Sequence, residues 1–160
     1  MMAEELLSYL RKRGWTIVTD PKSDRALPGE ITDRYENISP QWYDFISGLN
    51  VLMNERETTW FLCFKDFYEQ DEGAFQWNEW ERVSLESAAD DEKWKKEIRA
   101  FWDRHFPIVL SVRNGYSYYA ISMENGAVVC GFEPEFEECE TVADSFEEFA
   151  EKIVSGKIEL

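Results

Sequence analysis

From Asn114 through Glu151 the chain has no lysine, arginine or histidine. Histidine occurs once, at His105, which excludes a multi-histidine metal site and leaves little for acid–base chemistry of that type. At helical spacing from Trp94, Ile98 and Trp102, His105 reads as a packed face residue. Cysteine is also scarce: Cys63, Cys130 and Cys139 are odd in number and show no C-x-x-C spacing. Cys63 and Cys130 lie in apolar, strand-like runs and read as small core hydrophobes, while Glu138 and Glu140 flank Cys139 and disfavour its thiolate. Reduced thiols and a cytoplasmic location follow as the expectation. The eight glycines are scattered, and no Gly-x-Gly-x-x-Gly or Walker pattern is present to cradle a phosphate. No apolar run is long enough to span a membrane. Met1 to Arg13 carries Glu4 and Glu5 where a secretory signal wants positive charge.

What the chain has in quantity is acid and aromatic surface. Its 160 residues, 44% hydrophobic and 16% aromatic, suit a single domain spanning 1–160 with one core. The formal net charge is -16. The base-free stretch holds Glu124, Glu133, Glu135, Glu137, Glu138, Glu140, Asp144, Glu147, Glu148 and Glu151. Bases gather instead at Arg11-Lys12-Arg13 and at Lys93, Lys95, Lys96, Arg99 and Arg104. Such a field repels nucleic acid and anionic membranes and attracts basic proteins. Solubility alone is a competing reason for it. Glu133-Pro134-Glu135-Phe136-Glu137-Glu138 lacks the D-x-D-x-D-G spacing of a calcium loop and reads as a solvated acidic loop, so no cofactor or metal is expected. With 33 acidic residues, carboxylate pairs arise by chance, and a carboxylate-dependent hydrolase stands only as an alternative.

Two Asn-Gly dipeptides, Asn114-Gly115 and Asn125-Gly126, predict two tight hairpins and a three-stranded antiparallel meander. Counting outward from two-residue turns pairs Leu110 with Tyr119 and Ile108 with Ile121, then Tyr119 with Phe132 and Ile121 with Cys130. Leu110–Tyr119–Phe132 and Ile108–Ile121–Cys130 then form the rows of an apolar face. Val109, Tyr116, Tyr118 and Val129 fall on the other, mixed face, available to solvent or a partner.

Elsewhere, helices are expected over Glu4–Arg13 with Gly14 as the stop, from Ser39-Pro40 through Leu49, over Asp91–Phe106 ended by Pro107, and from Ser145 to Val154. Strands are expected at Trp15–Val18 and Thr58–Phe64. Thr19 to Gly29 reads as a loop, and Phe67 to Ser84 interleaves aromatics with acid in no assignable pattern. The sum is α+β: a single antiparallel sheet with a three-stranded C-terminal meander and helices packed on one face.

Three segments resemble the SUKH superfamily, which includes fungal cell-wall-synthesis regulators and bacterial toxin-immunity proteins. They are Ile38-Ser39-Pro40-Gln41-Trp42-Tyr43-Asp44-Phe45-Ile46, the strands Pro107-Ile108-Val109, Tyr118-Tyr119-Ala120-Ile121 and Gly126-Ala127-Val128-Val129, and Ala143-Asp144-Ser145-Phe146-Glu147-Glu148-Phe149. The resemblance implies an α+β binding domain without catalytic residues, typically neutralising a partner toxin such as a nuclease. A regulatory scaffold of the fungal type is the alternative. The acidic surface fits a basic protein partner, met through Glu133, Glu135, Glu137, Glu138, Glu140, Tyr116 and Tyr118.

Overall fold

A computed structural model describes residues 2–20, 26–68 and 73–160. The elements run α1 (Met2–Lys12), β1 (Thr16–Thr19), α2 (Gly29–Arg34), α3 (Pro40–Ile46), β2 (Leu49–Met53), β3 (Thr59–Phe61), α4 (Glu79–Ala88), α5 (Glu92–Asp103), β4 (His105–Ser111), β5 (Ser117–Ser122), β6 (Val128–Phe132), β7 (Glu140–Ala143) and α6 (Phe146–Val154). The seven strands make one antiparallel sheet in sequence order, β1 to β7. The α+β class with a single antiparallel sheet is therefore as expected, and the meander is its β4–β5–β6 portion.

Local signals set several boundaries. Gly14 stops α1 at φ +83°, a conformation that a side chain disfavours. Ser39 caps α3 by accepting from the Trp42 N–H, with Pro40 at the first helical position. Asp91 caps α5 through the Trp94 N–H, and Ser145 caps α6 through the Glu148 N–H. The Glu148 carboxylate completes that terminus by accepting from the Asp144 N–H.

The meander register differs from the two-residue count in both hairpins. Tyr119 faces Val109, and Tyr118 faces Leu110, a one-residue shift. Asn114 and Gly115 do take positive φ, 59° and 93°, yet Tyr116 does not pair back across the turn. Its carbonyl accepts from the Glu133 N–H at 2.9 Å, and its ring stacks on Trp80 with centroids 4.4 Å apart. Ile108 is then absorbed as a bulge between Pro107 and Val109. At the second turn only Gly126 has positive φ. Asn125 instead accepts from the Ala127 N–H, and Ser122 closes on Ala127, so the loop is longer. Tyr119 consequently pairs with Cys130 and Ser117 with Phe132.

Alternation along β5 assigns the two layers. Tyr119 meets Phe149 of α6 at 4.9 Å, on the face where Phe61 meets Phe45 and Phe45 meets Phe146. Tyr118 points the other way, against Trp102 of α5 at 4.8 Å. Helices thus cover both faces, with α1, α3 and α6 on one and α4 and α5 on the other. The expectation of one helical face omitted the second layer because α4 begins inside the aromatic-acidic stretch that carries no clean period.

Other differences follow from tertiary context. The Asp91–Phe106 helix ends at Asp103, and Pro107 lies within β4, so His105 belongs to a strand. Strand β3 is only Thr59–Phe61, after which the chain enters a 3-10 turn at Phe64–Phe67. Gly29 starts α2 rather than closing a loop. Strands β2 and β7 had no separate signal. The residues 21–25 of the expected loop and 69–72 of the aromatic-acidic stretch lie outside the described residues.

Candidate functional site: an anchored acidic loop

The loop joining β6 to β7 carries Glu133, Glu135, Glu137 and Glu138, four of the five glutamates expected to meet a partner. Its backbone is held from beneath. Phe136 is buried and stacks on Trp80, with centroids 5.6 Å apart and planes 3° from parallel. The Tyr118 hydroxyl donates to the Phe136 carbonyl. Glu137 turns inward, and its Oε2 accepts from Ser84 Oγ at 2.9 Å and from Trp102 Nε1 at 3.0 Å. Burial pushes the Glu137 carboxyl above its ordinary range, partly opposed by those two hydrogen bonds. At the loop's start Glu133 Oε1 accepts from the Tyr116 N–H at 3.2 Å. A Cβ on Gly115 would sit 2.9 Å from that oxygen, the far end of an exposed side chain that can move aside, so it is the φ of 93° that calls for glycine there.

Glu133, Glu135, Glu138 and Glu140 are exposed on this scaffold. Two expected surface residues are not. Tyr118 is 1% exposed, its hydroxyl and ring both spent inside the core. Glu137 is half-buried and serves as the anchor just described. Tyr116 keeps partial exposure on top of Trp80. Phe132, assigned by the two-residue count to an apolar core row, is instead 64% exposed, the most exposed of the large hydrophobic side chains described. It ends β6 and leads directly into the acidic loop. The sequence signal for it was the run Phe132-Glu133, an aromatic abutting acid, but the register count directed it inward.

Other candidate chemistry resolves into structure. Cys63 is buried, with its thiol pushed up to about 12 by desolvation. Cys130 and Cys139 are half-buried, and burial raises both. His105 stacks on Phe101 and shares a hydrogen bond between Nδ1 and the Phe101 carbonyl, while burial lowers its pKa. Among the described residues no group of three or more His, Cys, Asp or Glu is placed to hold a metal ion. Nor, among them, is any helix long and apolar enough to cross a membrane.

A second polar cluster, buried only at Glu81, ties helices together. Arg34 forms a two-pronged pair with Glu81, at 3.1 and 2.8 Å, and its Nε reaches Asp103 at 2.8 Å. Burial by itself would lower the Arg34 pKa, and the carboxylates of Glu81 and Asp103 carry it above its ordinary value. The guanidinium also lies over Tyr35 and Trp77. This cluster joins α2 to α4 and α5 and is structural.

No protein-family model matches the chain, and comparison with curated proteins finds no matching relative.

Proposed function

We propose that this chain is a non-catalytic protein-binding domain that captures a basic partner at the acidic loop, acting as an immunity protein that neutralises a nuclease-like toxin by occlusion. The observation that carries the reading is the pairing of exposed Phe132 with exposed Glu133, Glu135 and Glu138 on a loop pinned to the core, with exposed Glu140 at the start of β7 beside them. An exposed aromatic within a polar rim is the composition of an interface centre and its surround. A pinned loop pays little ordering entropy on binding. The resemblance of the helix and hairpin segments to SUKH immunity proteins supports the same reading.

The partner's Lys and Arg side chains, which grip phosphate in a nuclease, would pair with these glutamates instead. Association is steered by the field of a chain at -16 and slows as salt rises. The test is co-expression with the product of the adjacent gene. A stoichiometric complex with a basic protein whose activity is blocked supports the reading. Replacing Glu133, Glu135 and Glu138 by lysine should then weaken the complex by orders of magnitude, about a hundredfold or more. Unchanged affinity in that variant removes the loop from the interface. No complex at all favours a regulatory scaffold, with the charge serving solubility.

A further inference from the structure

At the end of the sheet where the β2–β3 and β4–β5 turns lie, a cleft of about 330 Å³ opens between those turns, the end of α1 and the segment after α6. It is lined by Arg13, Arg56 and Arg113. Three guanidinium groups on one cleft are unexpected in a chain with only 17 basic residues against 33 acidic ones. Among the described residues, neither Arg13 nor Arg56 belongs to an ion pair. Arg34, Arg82 and Arg104 do.

Each of the three is presented by a fixed element. Arg56 sits in a turn tied by Asn54, whose Oδ1 accepts from the Thr58 and Thr59 N–H groups at 2.7 and 3.0 Å. Asn54 Nδ2 adds a bond to Thr58 Oγ1 at 2.8 Å. The Arg13 guanidinium lies 4.9 Å from the Tyr9 ring centroid, which steadies it without neutralising it. Arg113 Nη1 donates at 2.8 Å to a main-chain oxygen of Leu160, the last residue described and itself part of the cleft wall, so one of its donors is engaged and the others remain for the cleft. Trp15 supplies an aromatic wall, held edge-on against Phe61 at 5.9 Å.

We propose that this cleft binds a small phosphate ester. Arginine forks match phosphate oxygens two at a time, and several together suit a dianion better than a single carboxylate. Glu55 and Glu159 also line the cleft. They accept hydrogen bonds and repel bare anions, so the favoured occupant carries hydroxyl or amino donors beside its phosphate. A sugar phosphate or nucleoside monophosphate meets both demands, and a cavity of this size lies at the lower end of ligand pockets. The surrounding negative field opposes any anion at long range, whereas contact with three guanidiniums acts inside the Debye length.

Calorimetric titration of the full chain at low ionic strength tests the assignment, with ribose 5-phosphate, adenosine monophosphate and inorganic phosphate as probes. Saturable one-to-one binding of an ester, tighter than that of inorganic phosphate, is expected. Arg56→Gln, at an exposed side chain with no ion-pair partner among the described residues, should weaken it about tenfold or more. Arg99→Gln removes the same charge from α5, outside the cleft, and should leave the affinity within about twofold. No saturable binding of either ester overturns the proposal, as do equal losses in the two variants. Equal affinity for inorganic phosphate overturns the choice of an ester.

Discussion

Replacing Glu137 by alanine and by glutamine separates two roles of one half-buried carboxylate. The alanine variant strands Ser84 Oγ and Trp102 Nε1, on residues that are only 6% and 2% exposed. An unsatisfied buried donor costs about 1–3 kcal/mol. Two of them, offset by no longer desolvating a carboxylate, leave a net loss of about 2–3 kcal/mol. In a chain of this length that lowers the melting temperature by about 5–10 °C. Glutamine keeps an oxygen for both donors and removes the charge, so its cost is within about 0.5 kcal/mol at neutral pH.

The pH dependence has a definite sign. The folded-state pKa of Glu137 is raised, chiefly by burial, so the native carboxyl binds its proton more tightly than the unfolded one. Its contribution to stability is full below the unfolded value. It is lost as pH rises from the ordinary carboxylate range through the raised folded value. Wild type should therefore lose stability relative to Glu137→Gln across that window. Urea unfolding followed by tryptophan fluorescence between acid and neutral pH reads both effects, and amide exchange should show loop 133–139 loosened only in the alanine variant. A glutamine variant as unstable as the alanine one, with a flat pH difference, would refute the balance between burial and hydrogen bonding drawn here.

Further outcomes follow from other contacts. Arg34→Met leaves Glu81, 6% exposed, without its counter-charge and should cost about 3–5 kcal/mol in chemical unfolding, with at least half regained in the double variant Arg34→Met/Glu81→Met. Gly131→Ala would set a Cβ 2.6 Å from the Tyr118 hydroxyl and should cost about 1–3 kcal/mol with an altered near-ultraviolet dichroism; a neutral result would contradict the inward position of Tyr118. Phe132→Ala, at a side chain 64% exposed, should change stability by less than about 0.5 kcal/mol while weakening partner capture.

The parts of the fold legible in the sequence are those specified locally. Ser39-Pro40, Asp91 and Ser145 act as caps through their own side chains, so the starts of α3, α5 and α6 are readable from a few residues. Asn-Gly located both hairpins but not their register, because Tyr116 pairs with Glu133 and Asn125 with Ala127 rather than across a two-residue turn. That register placed Phe132 in the core and Tyr118 on the surface, the reverse of their positions. Of the second helical layer α5 was readable, but α4 and the placement of both helices on the opposite face were not, because Trp80 and Phe136 pack through long-range stacking. The acidic loop was legible from composition alone. Its anchor, Glu137, was indistinguishable in sequence from the exposed glutamates around it, since only the approach of Ser84 and Trp102 sets it apart. The arginine cleft joins residues distant along the chain and leaves no local motif.

The most direct test of capture at the acidic loop is the association rate with the basic protein co-purified from the adjacent gene, measured by stopped flow over a range of sodium chloride. Electrostatic capture predicts a rate that falls about ten- to a hundredfold from low to physiological salt, and a much flatter dependence when Glu133, Glu135 and Glu138 are lysine. A rate indifferent to salt, or identical in the lysine variant, would contradict it.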